Sequence, residues 1–108
     1  MGPLEITVGA GGSGPVVKLS GECDVSVAGQ LSDALDAQIA SGARHLTVDL
    51  SGLRFADSAS IRVLVRTYQV LKERGGTLEL AFPQATVSRV LSLLGVDQVL
   101  PVRTRPCA

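Results

Sequence analysis

The stretch LTVDLSGLRFADSASIRVLVRTYQVL, Leu46 to Leu71, decides how the rest of the chain is read. From His45 to Leu50 it is dense in apolar and β-branched residues, the composition of a parallel strand covered on both faces. From Ile61 onward the period changes to that of a helix. Ile61, Leu64, Val65, Tyr68 and Leu71 form an apolar stripe, while Arg62, Arg66, Gln69, Lys72 and Glu73 face water. Between the two runs lies Asp57-Ser58, which places either side chain where it can cap the free amides of a helix starting at Ser58. The unit is strand, sharp turn, helix.

Toward the C-terminus, Gly75-Gly76 stops that helix and Thr77 to Phe82 is the next strand. Pro83 suits the first turn of a third helix, which carries Val87, Val90, Leu91 and Leu94 on one face and ends at Gly95. Val99 to Val102 offers a short edge strand. Toward the N-terminus, Gly42 ends a first helix whose inner face is Val27, Leu31, Ala34, Leu35 and Ile39, with Ser26 as its N-cap. Before it, a strand around Val16 to Gly21 is joined by Gly9–Pro15 to a first strand in which Leu4, Ile6 and Val8 alternate with Glu5 and Thr7. The order β-β-α-β-α-β-α-β predicts an α/β fold with a mixed sheet of four to five strands. It begins as an antiparallel hairpin and continues through helical crossovers.

Composition narrows the function. The 108 residues make one domain, long enough to bury roughly 65% of the unfolded surface. Phe55, Tyr68 and Phe82 are the only aromatics, so the core is aliphatic. Formal net charge is zero, and no basic cluster supplies the electrostatic attraction that nucleic-acid binding needs. No apolar run approaches the ~20 residues of a membrane span, and no signal-peptide pattern opens the chain, so the expected location is the cytoplasm. Arg103 to Ala108 is expected to be a disordered tail.

Other motifs dissolve on inspection. Gly9, Gly11 and Gly14 match G-x-G-x-x-G, but Pro15-Val16-Val17 follow where a dinucleotide site needs a helix, so this is a hairpin loop. His45 lies at the opposite end of its strand from Ser58, about 20 Å away for six extended residues, too far for a nucleophile and its base. No enzyme activity and no cofactor are therefore expected, and no spacing of His, Cys or carboxylates suggests a metal. Cys23 and Cys107 read as free thiols, with Cys23 a buried small hydrophobe and Cys107 on the tail.

The V-D-L-S-G strand end, the hydrophobic-Asp-Ser step and the helix after it resemble the signature of the STAS domain found in bacterial anti-sigma factor antagonists. The likeness extends to GECDVSVAGQL at Gly21–Leu31 and RGGTLEL at Arg74–Leu80. It implies a STAS fold with about three helices packed mainly on one face of the sheet. Members usually continue into one more C-terminal helix, expected here to be missing or a stub. It further implies a non-catalytic transcription regulator working by partner switching. The unphosphorylated form would bind an anti-sigma factor with serine kinase activity and release a sigma factor. Phosphorylation at Ser58 would break the complex, and a serine phosphatase would restore it.

The resemblance puts Asp24, Asp57, Ser58, Ser60 and Arg62 at the partner surface. The usual run after the phosphorylated serine resembles [ST]-G-L-G; here Ser60 and Arg62 replace both glycines, narrowing what can dock. Each residue also has a plain structural reading: Asp57 as cap, Asp24 as loop residue, Arg62 as solvated charge. Arg62 can alternatively reach back toward a phosphate on Ser58, since residues four apart share a helix face. Two other functions fit the same family: a scaffold subunit of a signalling assembly and a small-ligand or nucleotide sensor. Weak homodimerisation is compatible with each.

Overall fold

The structure, a computed structural model, describes residues 3–12 and 14–104. Its elements run β1 (Glu5–Ala10), β2 (Pro15–Cys23), α1 (Ala28–Ala40), β3 (His45–Ala56), α2 (Ser58–Glu73), β4 (Thr77–Ala81), α3 (Ala85–Leu93), a 3-10 turn (Val96–Gln98) and β5 (Val102–Arg103). The five strands lie side by side in chain order. β1 and β2 pair antiparallel, and every later pair is parallel. Parallel strands joined through helices cross over with one hand. When strand order equals chain order, that rule puts all the crossovers on the same side of the sheet.

The burial pattern agrees. Val17, Leu19, Leu46, Val48, Leu50, Leu78 and Leu80 form one aliphatic core with Leu31, Leu35, Ile61, Leu64, Leu71, Val87 and Leu91. The alternating residues Lys18, Thr47, Asp49, Ser51 and Glu79 are half-buried or exposed on the opposite face. β3 is thus covered on one face, not on both as its composition suggested. The expected α/β architecture of hairpin, crossovers and three helices on one face is the one observed.

β3 extends six residues beyond Leu50, the end expected from its apolar run, and reaches Ala56. Gly52 sits at a register shift against β2, and a Cβ there would lie 2.6 Å from Ser20 Oγ. The missing side chain is what lets the two strands stay paired past this point. Gly76 has the same role at the far end, where a Cβ would fall 1.9 Å from the Arg44 carbonyl oxygen. That carbonyl accepts from Thr77 N–H at 2.9 Å and starts β4 beside β3.

Several boundaries differ from expectation. Gln84 holds the N-cap position of α3 without a side-chain cap, so Pro83 precedes the helix and does not enter its first turn. Val87 and Leu91 are buried, whereas Leu94 lies beyond the helix and is 49% exposed. β5 is Val102–Arg103, overlapping the expected edge strand Val99–Val102 only at Val102, and a 3-10 turn at Val96–Gln98 precedes it. Arg103 is therefore a strand residue, held to Glu79 by an ion pair at 2.7 Å, and does not belong to a tail. Cys107 and a further C-terminal helix fall outside the described residues.

Candidate functional site

The C-terminal ends of β2 and β3 come together because their pairing persists to Glu22–Phe55 and Cys23–Ala56. Immediately after, Asp57 N–H donates to the Cys23 carbonyl at 3.2 Å. The Asp24 loop therefore lies against the start of α2. Asp57 is extended (φ −97°, ψ −179°), and its Oδ1 accepts from Ser60 N–H at 3.0 Å. This satisfies one of the free amides of the first turn. The N-cap expected of Asp57 is present.

Ser58 is the first residue of α2, and its side chain is exposed. Among the described residues its hydroxyl has no hydrogen-bond partner, and neither do the amides of Ser58 and Ala59. A solvent-facing oxygen thus stands beside two unfilled N–H groups at the positive end of a sixteen-residue helix. That environment favours negative charge.

Ser60 faces the other way. It is 1% exposed, and its hydroxyl lies 2.8 Å from the Cys23 carbonyl and 3.0 Å from Asp57 Oδ1. The single hydroxyl proton serves one acceptor at a time. Expected at the partner surface, Ser60 instead pins the end of β2 to the first turn of α2. The signal was in the helical spacing: Ser60, Leu64, Thr67 and Leu71 are all buried on one face. Thr67 joins that face because its hydroxyl donates to the Val63 carbonyl at 2.8 Å. Val65 and Tyr68 pack only partly against the core.

Asp24 is half-buried in the β2–α1 loop. Its Oδ1 accepts from Ser26 N–H at 3.0 Å and from the Ser26 hydroxyl, and its carbonyl accepts from Val27 N–H at 3.1 Å. Ser26 is thus the donor in an Asx-type turn; α1 begins after Val27 with no side-chain cap. The Ser26 hydroxyl, followed by backbone donors, holds the Asp24 carboxyl below its ordinary value. Cys23 is fully buried. Burial pushes its thiol up, and the charges of Asp57 and Asp24 push the same way. Two large apolar side chains stand out at this end of the molecule, Val25 at 72% exposure and Phe55 at 44%.

Arg62 is exposed and makes no ion pair or hydrogen bond among the described residues. With Arg66 it borders a shallow groove of about 230 Å³ between α1 and α2, whose lining includes Ala28, Gly29, Ser32 and Ala59. His45 lies at the other end of the twelve-residue β3. Among the described residues no group of His, Cys, Asp or Glu could hold a metal ion, and no helix is long and apolar enough to cross a membrane.

A one-sided mixed sheet with an exposed serine at the helix start after its central strand defines a recognisable class. The family described as "Mlab, STAS domain" matches residues 6–102, and the chain belongs to the STAS domain family. It is 26% identical over 88 residues to an anti-sigma F factor antagonist of Paenibacillus polymyxa, covering 81% of this chain and 75% of that protein. It is 27% identical over 89 residues to an anti-sigma-B factor antagonist of Bacillus subtilis (strain 168), covering 82% and 81%. The crystal structure of an anti-sigma factor antagonist from Mycobacterium paratuberculosis superposes with a TM-score of 0.86 at 27% identity, covering 95% of this chain and 87% of that one.

Proposed function

We propose that this protein is an anti-sigma factor antagonist of the cytoplasm, non-catalytic, whose partner contact is switched at Ser58. The observation that carries this reading is the exposed Ser58 hydroxyl, unpartnered among the described residues, at the positive end of α2. In the unphosphorylated state the protein binds an anti-sigma factor with serine kinase activity, and the sigma factor is released. The kinase then transfers the γ-phosphoryl group of ATP. The Ser58 Oγ–P bond forms, the bond to the β-phosphate oxygen breaks, ADP leaves, and the hydroxyl proton passes to a base of the kinase. A serine phosphatase reverses the state by hydrolysis.

The helix tolerates the modification because the phosphate meets free amides and the helix dipole. A partner pressed against Ser58 does not, since it would have to bury about two negative charges. Asp24 and Asp57 border the contact, and Val25 and Phe55 supply its apolar area. Ser60 has no part in the contact because it is buried.

The test is incubation with ATP and candidate anti-sigma factor kinases, followed by intact mass and peptide mapping. One phosphoryl group on Ser58 is expected. Phosphate on Ser51 with Ser58 unmodified would overturn the assignment. No phosphorylation by any of them, with a large self-assembly on size exclusion, would favour a scaffold subunit instead.

A further inference from the structure

The groove between α1 and α2 is concave, and the side chains at its floor are small. Gly29 has open space where a Cβ would project, and Ala28 and Ala59 add only methyl groups. A segment laid here comes close to the backbone of both helices. The rim is cationic. Arg62 has no partner among the described residues. Arg66 is held upright by the Ser32 hydroxyl and by Asp36 at 3.8 Å, an exposed pair that is weak in water. Among the described residues Asp36 is the one acid paired with either arginine, so the two guanidinium groups outnumber the carboxylates that pair with them.

We propose that this groove is a docking cleft for an acidic segment of a partner protein, with a glutamate or aspartate carboxylate seated between Arg62 and Arg66. Charge complementarity fixes the sign of the occupant. Guanidinium groups present paired N–H donors that match a carboxylate, and an open fork on Arg62 is the donor still unused. The small floor fixes its manner of approach, as a main chain lying across Gly29 and Ala59. That the partner is an anti-sigma factor rests on the function proposed above; the chemistry of the groove does not.

A first experiment uses the full chain, isotope-labelled, titrated at low salt with a blocked hexaglutamate peptide and, separately, a blocked hexalysine peptide. Saturable shifts of the Gly29, Ser32, Ala59 and Val63 amides are expected with hexaglutamate and not with hexalysine. They should weaken as salt rises and fall at least tenfold in affinity in Arg62→Ala, whose remaining spectrum should match the parent. Shifts that are absent, or unchanged in Arg62→Ala, would overturn the proposal. In a second experiment, Arg62→Glu should weaken binding of the anti-sigma factor by at least tenfold at low salt, and equal affinity would count against the groove. If that factor fails to bind even the parent protein, the functional reading fails, and the peptide titration still decides the groove.

Discussion

Replacing Asp57 by alanine separates what this residue does for the fold from what it does for a partner. Its carboxylate accepts the Ser60 amide at 3.0 Å and lies at the same distance from the Ser60 hydroxyl. Loss of an N-cap acceptor costs about 1 kcal/mol, with a range of about 0.5–2. The Ser60 hydroxyl adds little to that loss, because it can still donate to the Cys23 carbonyl at 2.8 Å. The sum is about 1–2 kcal/mol, equivalent to roughly 5–10 °C in Tm for a domain of this size. Asp57→Asn keeps the acceptor and loses only the charge near the helix N-terminus, about 0.3–1 kcal/mol. Urea unfolding followed by far-UV circular dichroism measures both, and the slope should be the same in all three proteins. An alanine variant within a few tenths of a kcal/mol of the parent, or an asparagine variant as unstable as the alanine one, would refute the capping argument.

Cys23 should resist thiol reagents in the native state and react once urea unfolds the chain; fast native labelling would contradict its burial. Its raised thiol pKa stabilises the fold fully below the ordinary thiol value, and that contribution should be lost as pH rises toward the folded one. Asp24 has the opposite sign. Its lowered pKa contributes stability above the ordinary aspartate value, lost as pH falls through the folded one, so parent and Asp24→Asn should converge in acid. A protein carrying genetically encoded phosphoserine at 58 tests Arg62 directly by phosphorus NMR. The second phosphate pKa should move upward in Arg62→Gly, and an unchanged value would leave the arginine a solvated charge.

Much of this was legible in the residues. The strand-turn-helix at Leu46–Leu71 announced itself because its hydrophobic period changes across Asp57-Ser58, and the cap follows from side-chain chemistry alone. What escaped depended on partners distant in sequence. The strand's extension past Leu50 rests on Gly52, whose missing side chain leaves room for Ser20 on the neighbouring strand. Ser60 looks polar and outward, but the Cys23 carbonyl, 37 residues away in sequence, supplies its acceptor inside the protein. Ser26 has the composition of a cap, yet the stronger acceptor Asp24 lies two residues earlier and takes its donors for a loop turn. Leu94 continues the apolar spacing of α3, but the helix ends at Leu93 and leaves it half exposed. The groove between α1 and α2 requires two helices to meet and has no local signature.

The most direct test of the central claim is a calorimetric titration of the anti-sigma factor into two forms of the protein at equal salt. One form is unmodified, and the other carries encoded phosphoserine at position 58, so no kinase is needed. Tight binding of the unmodified form is predicted, with a loss of more than about tenfold, about 1.4 kcal/mol, on phosphorylation. Equal affinity of the two forms, with both folded, would contradict a switch at Ser58.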